Sequence, residues 1–157
     1  VDEKIVIPLD GSKISEAALA YVDDLMSKLS PEVKVEVVLL QVLSAFTYPV
    51  TAGKAIDQVP YTKEEMKQHK KKAIEYLNEV GEALRSKGAT VTVKVAVGFP
   101  PEEIARTAEE INANLIAMST HGRSGYSGWP FGSVTDKVLR RGGGIPITIV
   151  RAPSYRR

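Results

Sequence analysis

The sequence predicts an α/β fold: a parallel β-sheet with helices on both faces. Three observations carry that expectation. Short apolar runs rich in Val and Ile recur along the chain. Segments with apolar residues at helical spacing separate them. The two kinds of segment alternate regularly, and parallel strands need such a crossover, usually a helix. The 157 residues fit one domain, 1–157, with a core that needs neither metal nor disulfide support.

The elements follow in order. "KIVIPL" (4–9) reads as a buried strand that stops near Pro8, because proline cannot donate to a sheet ladder. "DGS" turns into a helix carrying Ile14, Ala17, Ala18, Tyr21, Val22, Leu25 and Leu29, with Ser12 as its expected N-cap. "KVEVVLLQVL" (34–43) is the second strand. Residues 44–61 contain Pro49, Gly53 and Pro60, show no period, and are expected to be a long loop. A helix over about 62–87 places Met66, Ala73, Leu77, Val80 and Leu84 along one side and stops at Gly88. Lys70, Lys71 and Lys72 belong to its solvated face. "TVTVKVAV" (90–97) is the third strand. "GFPPEEIARTAEEI" has the prolines and acids of a helix N-terminus, then Ile104, Ala108 and Ile111 at helical spacing. "NLIAM" (114–118) is the fourth strand, about 132–141 the fourth helix, and "IPITIV" (145–150) the fifth strand. Residues 151–157, "RAPSYRR", are expected to form a flexible basic tail.

Composition narrows the function classes. Apolar residues make up 43%, an ordinary globular share. The formal charge of +2 is too small to argue for nucleic acid. There is no cysteine, so disulfides, thiolate metal sites and cysteine nucleophiles are excluded. No apolar run approaches the roughly 20 residues that cross a bilayer. "VDEKIVIPLD" has acids where a signal peptide has basic residues. The expectation is a soluble cytoplasmic protein with no membrane partner.

The chemistry concentrates between the fourth strand and the fourth helix. Gly122, Gly125 and Gly128 recur every third residue, and Gly132 precedes Ser133. Such a loop lets backbone N–H groups converge on an anion, and the helix that follows adds its positive end. Phosphate is the anion these devices commonly serve. The alternative reading is plain turn chemistry, with Ser133 and Asp136 as a capping box. The loop is neither a Walker A loop, since no Lys precedes Ser133, nor a dinucleotide fingerprint, whose spacing and place differ. His121 lacks a triad partner in the sequence and reads as a turn residue rather than a catalytic base, so no catalytic residue is assigned. Arg123 faces either a phosphate or solvent. Trp129 covers a neighbouring surface rather than stacking on a base.

The "VPLDGS"-like start, "GFPPEEI", and "NLIAMSTHGRSG" followed by "GSVTDKVL" together resemble the universal stress protein family, its ATP-binding, universal stress protein A-like branch. The resemblance runs from about residue 3 to 151. It implies a Rossmann-like, adenine nucleotide alpha hydrolase-like fold with a five-stranded parallel sheet in the order 3-2-1-4-5. It also implies the pattern G-x2-G-x9-G followed by Ser or Thr. Here Gly122, Gly132 and Ser133 match, while Ser119 stands in the first glycine's place. By the same resemblance Asp10 contacts the nucleoside, the main chain at Val42 lines the adenine, and Pro8 and Leu9 wall its pocket. Gln41 stands where the family often has His. Gly125 shapes the spacer, and Val134 follows Ser133 into the helix.

The implied function is a homodimeric regulatory protein of the stress response. It binds ATP or AMP, with no metal site from protein alone and Mg²⁺ carried on the phosphates. Its dimer forms through the last strand, Ile145 to Val150, an apolar edge otherwise exposed. Two other readings stand beside it: a slow ATPase or autophosphorylating protein, and an interaction module that has lost nucleotide binding.

Overall fold

The computed structural model describes residues 2–44, 47–53, 55–120, 133–141 and 143–153. Along the chain lie β1 (Asp2–Pro8), α1 (Ala17–Lys28), β2 (Lys34–Leu43), β3 (Thr47–Ala52), β4 (Ala55–Pro60), α2 (Lys63–Ser86), β5 (Thr90–Val97), α3 (Pro100–Glu110), β6 (Leu115–Thr120), α4 (Ser133–Arg141) and β7 (Ile147–Arg151). Five strands form a parallel sheet ordered β5-β2-β1-β6-β7. Counted among the five sequence-expected strands, that order is 3-2-1-4-5. β1 is central: Ile5 pairs with Val37 on one side and Leu115 on the other.

The strands bury both faces, which is why they read as continuous apolar runs. Ile5, Ile7, Val37 and Leu39 point to one face, packed with Ala18 and Val22 of α1 and Leu77 and Leu84 of α2. Val6, Val38, Leu40, Ile116 and Met118 point to the other, packed with Ile104 and Ala108 of α3 and Val138 of α4.

Residues 44–61 correct the expectation of a long loop. β3 and β4 pair antiparallel as a separate two-stranded sheet, Thr47 opposite Pro60 and Ala52 opposite Ala55. Gly53, at φ +67, lies in the turn between them. Pro49 and Pro60 fit because each strand of a two-stranded ribbon has a free edge, where a missing N–H leaves nothing unpaired.

The C-terminal expectation also shifts. Arg151, the first residue of the expected flexible tail, pairs with Thr120 in the sheet. The Ala152 N–H then donates to the Thr120 carbonyl at 2.9 Å, and Ala152 is buried. Residues 154–157 lie outside the described residues.

Candidate functional site

The chain turns outward from β1 to β2 on one side and reaches β6 on the other, so the strand order reverses beside β1. Open α/β sheets bind ligands at the carboxyl ends of strands at such a point. A cleft of about 300 Å³ lies there. Six of the expected site residues line it: Pro8, Leu9, Asp10, Val42, Ser119 and Val134. They come from β1 and the turn after it, β2, β6 and α4.

Alternation along the strands explains how they meet. Pro8, Leu40, Val42 and Met118 share the α3/α4 face and form an apolar wall with Ile104. α4 begins beside this wall, with Val134 and Thr135 lining the cleft and Ser133 exposed as its first residue. The positive end of the helix dipole is therefore near the cleft.

The turn after β1 is built from its own polar side chains. The Ser12 N–H donates to Asp10 Oδ1 at 2.8 Å. The Ser15 hydroxyl donates to the Ser12 carbonyl at 2.8 Å and accepts from the Asp10 N–H at 3.3 Å. Burial pushes the Asp10 carboxyl up, but hydrogen bonds from Ser12 and Ser15 outweigh it and leave the group below its ordinary value. Asp10 is thus an ionised acceptor at the cleft mouth. This turn displaces the expected N-cap: α1 starts at Ala17, and its N-cap, Glu16, makes no side-chain capping bond. Ser12 instead heads the turn, where its Oγ accepts from the Ser15 N–H at 3.2 Å.

The missing cap comes from across the sheet. Ser119 Oγ accepts from the Ala18 N–H at 2.8 Å and donates to the Ser15 carbonyl at 2.9 Å. Ser119 lies on the α1 face of β6, so its hydroxyl ties the end of β6 to the start of α1. Glycine in this place would leave a free helical N–H.

His121, Gly122, Arg123, Gly125, Trp129 and Gly132 lie outside the described residues. The expected capping box at Ser133 has its Asp136 carboxylate engaged by Arg140 Nε at 2.9 Å. Reading along the sequence missed Ser15, Ser44, Pro100, Met118 and Thr135, which also line the cleft. Met118 carried a usable signal: it sits two positions after Ile116 at the end of an apolar run, so strand alternation puts both on one face. Pro100 carried none, since a helix-opening proline looks the same whether or not it borders a cleft.

Among the described residues no helix is long and apolar enough to cross a membrane. The model of the universal stress protein family matches residues 3–151. A universal stress protein of Methanocaldococcus jannaschii is 27% identical over 151 residues, 96% of this chain and 83% of the relative. A second one from that organism is similar as a solved structure, with 24% identity, 98% of both chains covered and a TM-score of 0.72. An Archaeoglobus fulgidus universal stress protein, solved in complex with dAMP, is 21% identical, with 95% of this chain and 98% of that chain covered and a TM-score of 0.59. With the family pattern spanning nearly its whole length and the five-stranded sheet in place, the chain belongs to the universal stress protein family.

Proposed function

We propose that this chain binds an adenine nucleotide, ATP or AMP, in the cleft at the carboxyl ends of β1, β2 and β6, as a regulatory protein of the cytoplasmic stress response. One observation carries the reading: the cleft gathers Pro8, Leu9, Asp10, Val42, Ser119 and Val134 from four separated parts of the chain. The dAMP complex of the Archaeoglobus fulgidus relative supports the ligand class.

In this reading Pro8, Leu9 and Val42 wall the adenine, and the Asp10 carboxylate accepts from a ribose hydroxyl. Ser133, with Gly122, Gly125 and Gly132, meets the phosphates at the start of α4. His121 and Arg123 adjoin Gly122 in the sequence, and Arg123 brings a positive charge to the phosphates in this reading. Among the described residues no group of three or more His, Asp or Glu side chains is placed to hold a metal ion. Any Mg²⁺ ion comes with the phosphates in this reading, as this hard cation commonly does with nucleotides. The protein pairs with a second copy along β7, the last strand of the sheet, within the expected Ile145–Val150 segment.

Calorimetric titration of the nucleotide-stripped protein with ATP and AMP, with and without Mg²⁺, tests this. Saturable binding is expected, weakened at least tenfold in Asp10→Asn and in Gly132→Val. No binding at millimolar nucleotide, or binding that neither substitution changes, overturns the reading. Phosphate release in the same samples separates binding from slow hydrolysis.

A further inference from the structure

We infer that the carboxyl end of β2 carries a second ligand site, on the opposite face of the sheet, which takes a small organic cation bearing N–H donors. A cleft of about 310 Å³ lies there, lined by Asp10, Gln41, Tyr61, Met66 and His69 among others. That volume is at the lower end of the roughly 300–1,000 Å³ range of small-molecule sites. Gln41 and Leu43 point to the α1/α2 side, whereas Val42 points to the α3/α4 side, so the two clefts straddle one strand end. Asp10, Val42 and Ser44 border both.

The lining chemistry selects the ligand class. Asp10 supplies a carboxylate held in its ionised form by Ser12 and Ser15. Gln41 Oε1 is buried and has no hydrogen-bond partner among the described residues. A buried acceptor left unpaired is costly, and an N–H donor from a ligand recovers that cost. Among the described residues the cleft is lined by no Lys or Arg that would compete for the carboxylate. Tyr61 and His69 meet edge to face, with ring centroids 4.6 Å apart and planes at 65°. Their rings and the Met66 thioether favour a cation over an anion, because aromatic faces are negative and sulfur is polarizable. Two acceptors, two rings and a sulfur describe a site for a primary ammonium on a compact apolar body.

The site does not depend on the nucleotide reading, although the shared Asp10 would couple the two ligands reciprocally. The test therefore uses the full chain without nucleotide. Benzylamine is titrated at pH 8 and followed by two-dimensional NMR, with benzyl alcohol as the uncharged match. Saturable shifts for benzylamine at Gln41, Tyr61 and His69 are expected, with benzyl alcohol at least tenfold weaker. Gln41→Leu, which keeps side-chain size, and His69→Ala, at an exposed position, should each weaken benzylamine several-fold while preserving the rest of the spectrum. Equal binding of the alcohol, no saturation by millimolar amine, or unchanged affinity in both variants would overturn the proposal. A nucleotide titration on the same sample reports separately on the first cleft.

Discussion

Ser119 stands where the family's ATP-binding pattern has its first glycine, and its hydroxyl is engaged as both donor and acceptor within the protein. It accepts from the Ala18 N–H and donates to the Ser15 carbonyl, so it holds α1 and the Asp10 turn against β6. Ser119→Ala leaves both groups without that partner. We expect a loss of about 1–3 kcal/mol, read as a lower denaturant midpoint with an unchanged m-value. Tyr76 offers a contrasting case. Its hydroxyl is buried near Ser15 and Glu16 without a hydrogen bond of standard geometry. Burial, and then the charge of Glu16, pushes the phenol from 10.0 up to about 12. The folded state thus holds this proton more tightly than the unfolded chain. Tyr76 therefore favours folding below pH 10 and loses that contribution as pH rises from about 10 to about 12. Tyr76→Phe should show a smaller fall in stability than the parent between pH 9 and pH 11, measured by urea unfolding at each pH.

At the scale of elements, α2 has both ends defined by its own residues. Thr62 and Glu65 form a reciprocal capping box at its start. At its end the Ala89 N–H donates to the Leu84 carbonyl and the Gly88 N–H to the Arg85 carbonyl, with Gly88 at φ +98. That is a Schellman stop, and it needs the positive φ that glycine adopts freely. Between these ends Gly81 sits mid-helix, where alanine would improve helix propensity by about 1 kcal/mol. Yet a Cβ there would meet Leu39 Cδ1 at 3.0 Å and Val91 Cγ1 at 3.1 Å. Leu39 is fully buried and has little room to yield. Overpacking costs about 1–3 kcal/mol, so Gly81→Ala is expected to lower the thermal midpoint despite the better propensity. A raised midpoint would show that the propensity gain wins.

At the scale of the whole molecule, the sheet order leaves β5 and β7 as edges. Ile147, Thr148, Ile149 and Val150 of β7 are half-buried in the single chain. Pairing along this edge would cover strand groups that otherwise invite unspecific association. Light scattering on the eluted protein should report a dimer. Ile149→Arg, a charge on the edge strand, should shift it to monomer while circular dichroism stays unchanged. A monomeric parent would remove β7 from the proposed function without touching the cleft.

The order of elements was legible in the sequence because both sheet faces are buried, so strands appear as apolar runs and helices as periodic ones. Pro8, Gly88 and the "GFPPEE" start marked boundaries through local backbone chemistry, which needs no tertiary context. The β3/β4 hairpin was not legible, because a two-stranded ribbon leaves no periodic apolar face. Asp10, Val42 and Ser119 were named from the family pattern, but the sequence left the direction of the Ser119 hydroxyl open. Only the tertiary structure decided that it turns to α1. Strand alternation sets the face, and the free Ala18 N–H supplies the partner. The same alternation turns Val42 and Gln41 to opposite faces of the sheet, so that Gln41 lines only the second cleft, a separation that adjacent positions in a sequence conceal until the strand is paired on both sides.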